Sequence, residues 1–77
     1  MNKAIKWVVN DAEFGFRTYR AMFEGHGKRY YYDMHISREE LLLHRFVAQM
    51  VIDFRYRARF ERDRIIYGLA ASEEALQ

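Results

Sequence analysis

The chain has no cysteine, no proline and only four glycines in 77 residues, and no apolar run approaches the ~20 residues of a membrane-crossing helix. Without cysteine there is no disulfide, no thiolate nucleophile and no Cys-based metal site, which suits a reducing compartment. Without proline, no helix is forced to stop where its apolar pattern continues. Charge of one sign is also scarce: 13 Lys+Arg stand against 11 Asp+Glu, a net +2 that by itself selects no partner. The apolar stretch of Met1–Val9 is too short for a secretory signal and is interrupted by Lys3 and Lys6. The expectation is a single small domain over residues 1–77, soluble and cytoplasmic, with 70–77 as a frayed tail.

Apolar and aromatic side chains are plentiful. Hydrophobic residues make up 51% of the chain and aromatics 17%, enough to exclude disorder and to build a core from six Phe, six Tyr and one Trp. For a domain this small, burial energy and conformational entropy nearly cancel, so oligomerisation or docking on a partner is a natural source of further stability.

The segment from Phe14 to Ile36 reads as a β-hairpin turning at Gly25-His26-Gly27-Lys28. If paired positions sum to 53, Glu24 faces Arg29 and Arg20 faces Asp33, both favourable cross-strand pairs. One face then collects Tyr19, Ala21, Phe23, Tyr30, Tyr32, Met34 and Ile36, and the other is mostly polar with Met22 and Tyr31. A rival helix over Ala12–Glu24 would align Phe16, Tyr19 and Phe23, but it would carry Gly15 inside it at a cost of about 1 kcal/mol. Ile5, Trp7 and Val9 alternate in a further strand, joined through a turn at Asn10–Glu13. The strands are expected at about 4–9, 14–24 and 28–36.

Ser37-Arg38-Glu39-Glu40 is a capping box, with Ile36 and Leu41 placed as its hydrophobic staple. Glu39 and Glu40 suit the positive end of a helix dipole. From there an apolar stripe passes through Leu43, Val47, Met50, Val51, Phe54, Ala58, Ile65 and Leu69, is interrupted by Glu61, and ends at a candidate C-cap, Gly68. The fold class expected is α+β: a three-stranded antiparallel meander packed on a long C-terminal helix. One unbroken helix of about 31 residues would be near 46 Å long, more than the sheet can cover. Either the chain bends near Asp53–Arg55, or its second half, about 53–69, projects.

That second half holds Arg55, Arg57, Arg59, Arg62 and Arg64 interleaved with Tyr56, Phe60 and Tyr67. Arginine and aromatic side chains are favoured at protein hot spots and also serve phosphate binding and base stacking. On a helix, Arg55, Arg59 and Arg62 share a face that Arg57 and Arg64 oppose. Asp53, Glu61 and Asp63 dilute the charge, and Asp53/Arg57 and Arg59/Asp63 have the spacing of ion pairs on a solvated helix face.

His26, His35 and His44 show no convergence of three or four ligands, so neither metal nor cofactor is expected. Ser37 is explained as a cap and Thr18 as a strand residue, Ser72 lies in the tail, and no nucleophile–base pair or carboxylate pair stands out, so no catalysis is expected. The function expected is a non-enzymatic protein-binding module. At this size it suits a phage-type accessory or anti-defence inhibitor that occupies an acidic patch on a larger host complex. Its candidate contact residues are Arg55, Arg59, Arg62, Tyr56, Phe60, Tyr31 and Arg29. Nucleic-acid binding through the Arg-rich helix and self-association as a homo-oligomer are the alternatives.

Overall fold

A computed structural model describes residues 4–68. Strands β1 (Lys6–Asp11), β2 (Arg17–Gly25) and β3 (Lys28–Ile36) form an antiparallel sheet in the order β1-β2-β3. Two helices follow, α1 (Arg38–Leu41) and α2 (His44–Tyr67). The expected α+β architecture is present.

The β2–β3 register is the one the sequence dictates, running from Arg17 opposite Ile36 to Gly25 opposite Lys28. His26 and Gly27 form the turn with φ of 52° and 72°, the two left-handed conformations of a type I′ hairpin. Both expected charge pairs form. Arg20 Nε and Nη2 each donate to a different oxygen of Asp33 at 2.8 Å, and Arg29 donates to Glu24 at 3.2 Å.

The first hairpin turns later than expected. Asn10 and Asp11 stay in β1, opposite Thr18 and Arg17, and Arg17 Nε donates to Asp11 at 2.6 Å. The loop is Glu13-Phe14-Gly15, closed by the Ala12 N–H on the Phe16 carbonyl at 2.9 Å, with Gly15 at φ +84°. A three-residue hairpin needs that left-handed last position, and glycine fills it without strain. Gly15, rather than Asn10-Asp11, therefore places the turn.

The capping box at Ser37 is complete: the Glu40 N–H donates to Ser37 Oγ at 3.2 Å, and the Ser37 N–H donates to Glu40 Oε1 at 3.0 Å. The helix it opens is only one turn long. The break falls at Leu42–Leu43, not near Asp53, where α2 is continuous. The Leu42 and Leu43 N–H groups bond three residues back, to the carbonyls of Glu39 and Glu40. This tightened end lets the chain change direction before α2 starts, without a side-chain cap. A break at Asp53 would instead have split the stripe that docks on the sheet.

Phe54 and Ala58 of α2 are buried with Ala21 of β2, flanked by Ile5, Trp7, Tyr19, Tyr32 and Met34. The Phe54 ring stacks on Tyr32 at 5.7 Å and meets Trp7 edge-on at 6.0 Å. At the hairpin end, a Cβ on Gly25 would lie 2.7 Å from Ile66 Cγ1, so only glycine lets the helix approach this closely. His26 Nε2–H donates to the Ile65 carbonyl at 3.1 Å, fastening turn to helix. The second half of the helix thus lies along the sheet and does not project. The bare part is the N-terminal one, for no α2 residue before Phe54 is buried. Gly68 ends α2 in the left-handed C-cap conformation, as its position suggests, while Leu69 and the tail at 70–77 lie outside the described residues.

The result is two layers, 42 × 30 × 15 Å, with a radius of gyration of 14.8 Å against about 11.5 Å for a compact globule of this length. Among the described residues nothing packs over the outer face of the sheet or of the helix.

Candidate interaction surfaces

A helix advances about 100° per residue, so with Phe54 facing the sheet, Tyr56 points nearly the opposite way. Ile52, Tyr56 and Phe60 follow one another at four-residue spacing along that outer face, 60%, 73% and 42% exposed, and Tyr67 is exposed further on. Apolar residues therefore occupy both sides of α2, one stripe on the sheet and one in solvent.

Along the β1 side of this row lie Arg55 and Arg59. Their guanidinium carbons sit 5.7 and 5.4 Å from the centre of the Trp7 ring, within cation–π range. Trp7 is held in turn by its edge contact with Phe54. Neither arginine makes an ion pair among the described residues, and both are exposed. The indole draws the two guanidiniums to one flank of the helix, and their forked donors are not taken up by a carboxylate among the described residues.

The neighbouring charges are largely internal to the helix. Arg62 Nε donates to Asp63 at 3.0 Å and Arg64 to Glu61 at 2.7 Å. Asp53 accepts from Gln49 at 3.1 Å, in place of the Arg57 partner its spacing suggests, and Asp63 pairs with Arg62 rather than Arg59. Arg62 is the least exposed of the expected contact arginines, its side chain at 24%.

The seven residues singled out from sequence separate into two surfaces. Arg55, Tyr56, Arg59, Phe60 and Arg62 lie together on α2. Tyr31 and Arg29 project from the sheet face opposite the helix, where the Arg20 guanidinium covers the Tyr31 ring at 4.8 Å. There Arg20 holds the Asp33 carboxyl below its ordinary pKa, chiefly by hydrogen bonding and also by its charge, against the smaller opposing effect of burial. Trp7 and Ile52 belong to the helix surface although neither stands out in the sequence as a contact. The Ile52/Tyr56/Phe60 spacing was the available signal for Ile52; nothing in the sequence marks Trp7 as a platform.

The histidines are dispersed. His26 binds the Ile65 carbonyl, His35 Nδ1 shares a hydrogen bond with Thr18 Oγ1 at 2.9 Å, and His44 opens α2. No group of three potential metal-ligating side chains occurs among the described residues, and no helix there is long and apolar enough to cross a membrane. Compared with known proteins, the chain matches no family model, no curated protein and no solved structure.

Proposed function

We propose that the protein is a non-enzymatic binding module that captures an acidic protein surface with the outer face of α2, blocking that surface to others. The observation that carries this reading is the pairing of an exposed apolar row, Ile52, Tyr56 and Phe60, with Arg55 and Arg59 held beside it on Trp7. Buried aromatic anchors ringed by fixed arginines are the side chains that dominate protein–protein affinity. Arginines already ordered on an indole lose less freedom when a carboxylate arrives. A protein is favoured over nucleic acid because the row is built of exposed apolar side chains, which are better buried against another protein than against a phosphate backbone. An inhibitor acting by occupying its target's surface is the form of activity this geometry supports.

The test is affinity capture from cells of the natural source, run in parallel with a gel shift on mixed DNA and RNA. Wild type should retain a protein partner that Arg55→Glu/Arg59→Glu loses, with both chains giving the same circular dichroism. Equal capture by the charge-reversed variant, or retention of nucleic acid with steep salt dependence, would overturn the proposal.

A further inference from the structure

We propose that the β3 edge pairs with the β3 edge of a second copy, giving a two-fold symmetric dimer with a continuous six-stranded sheet. Among the described residues neither outer strand has a neighbour on its far side, but the two edges differ. β3 is nine residues long against six for β1; neither contains proline and both keep an unbroken register with β2, so the longer β3 edge offers the larger row of open main-chain groups. Natural sheets often blunt such an edge by shortness, proline or a bulge; here only charge remains for that role, at Lys28, Arg29 and Asp33.

The type I′ turn fixes which main-chain groups point outward. Gly25 and Lys28, next to the turn, exchange hydrogen bonds with each other, and pairing alternates from there. Lys28, Tyr30, Tyr32 and Met34 thus direct their N–H and C=O groups to β2, whereas Arg29, Tyr31, Asp33 and His35 direct theirs to the open side. An antiparallel copy with its dyad at Tyr31 sets Tyr31 opposite Tyr31 and Arg29 opposite Asp33 of the second copy. Arg29, Tyr31 and Asp33 then meet outward-directed partners, for about six main-chain hydrogen bonds, while His35 falls opposite Gly27 of the turn.

The side chains fit the same dyad. Arg29 and Asp33 lie equally far on either side of Tyr31, so opposite charges face each other twice on the sheet's open face and join each chain's own Arg20–Asp33 and Arg29–Glu24 pairs into one network. On the helix face, Tyr30 comes opposite Tyr32 of the second copy, in the closely spaced kind of pair. The groove between β3 and α2, lined by Tyr32, Met34, Met50, Asp53, Phe54 and Arg57, opens on this side. The dyad turns it toward its own copy with α2 reversed, so that Asp53 of one chain approaches Arg57 of the other. The β1 edge lacks this symmetry, because Arg55 and Arg59 over Trp7 would confront their own duplicates. The complementarity of β3 is to itself, which selects a second copy over an unrelated strand.

The absence of cysteine makes the dyad directly testable. Residue 31 is the one position on this edge that meets itself, at a spacing within disulfide reach. The full-length chain should sediment at twice its 9.4 kDa mass at micromolar concentrations. Under mild oxidation Tyr31→Cys should cross-link to a covalent dimer at least about tenfold faster than His35→Cys or Tyr56→Cys. All three positions are exposed, so folding is retained. A monomer at every concentration up to hundreds of micromolar, or cross-linking through His35→Cys or Tyr56→Cys as fast as through Tyr31→Cys, would overturn the proposal. Because capture is assigned to the Arg55, Tyr56 and Arg59 flank of α2 and the dyad faces its Asp53 and Arg57 flank, a negative result here leaves the capture experiment intact.

Discussion

At the residue scale, Phe54 joins all the layers of the fold. Its ring touches Trp7 on β1, Tyr19 on β2 and Tyr32 on β3, and Trp7 in turn carries Arg55 and Arg59. Phe54→Ala removes that common contact and should cost about 3–5 kcal/mol, out of roughly 4–12 kcal/mol for a domain of this length. Urea denaturation reads the loss directly; a cost below about 1 kcal/mol would mean that the helix is not held by this ring. Two carboxylates govern the acid side. Arg20 lowers the Asp33 pKa chiefly by hydrogen bonding, and the Ser37 backbone N–H lowers that of Glu40. A folded-state pKa below its unfolded value gives stability that is present above the unfolded pKa and lost as pH falls through the folded one. Melting temperature should therefore hold down to about pH 5 and fall below about pH 4. Asp33→Asn/Glu40→Gln should flatten that fall; an unchanged slope would assign it to other groups.

At the scale of elements, sequence and structure agree where a local rule acts alone. The β2–β3 register was legible because alternation, the glycine turn and two charge pairs all require the same alignment. The start of α1 was legible because Ser37 and Glu40 satisfy each other's backbone within one turn. The break at Leu42–Leu43 was not legible: leucines favour helix, and the break answers to the sheet, across which α2 must return to seat Phe54, Ala58 and Ile66. The shift of the first turn to Gly15 has a similar origin, since the Asp11–Arg17 pair keeps β1 in register through Asn10 and Asp11. Of the candidate contacts, Arg55, Tyr56, Arg59 and Phe60 could be grouped from helical spacing. Tyr31 and Arg29 could be placed on the outer sheet face, but their separation from the arginines depends on which side of the sheet the helix covers.

At the scale of the whole molecule, two layers bury little. Among the described residues the buried hydrophobics are Ala21, Phe23, Ile36, Phe54, Ala58 and Ile66, while Leu42, Phe46, Ile52, Tyr56 and others stay exposed. A helix that carries apolar residues on both faces serves the fold with one and leaves the other for association. The inward face holds the fold and the outward face is the one proposed for capture, so substitutions should separate the two. The most direct measurement follows thermal unfolding and partner capture together in Tyr56→Ser. The prediction is a melting temperature within about 2 °C of wild type, since Tyr56 is largely exposed, with capture reduced at least about tenfold, as expected when an aromatic anchor is removed. Full capture with an unchanged melting temperature would show that the outer face of α2 is not the working surface.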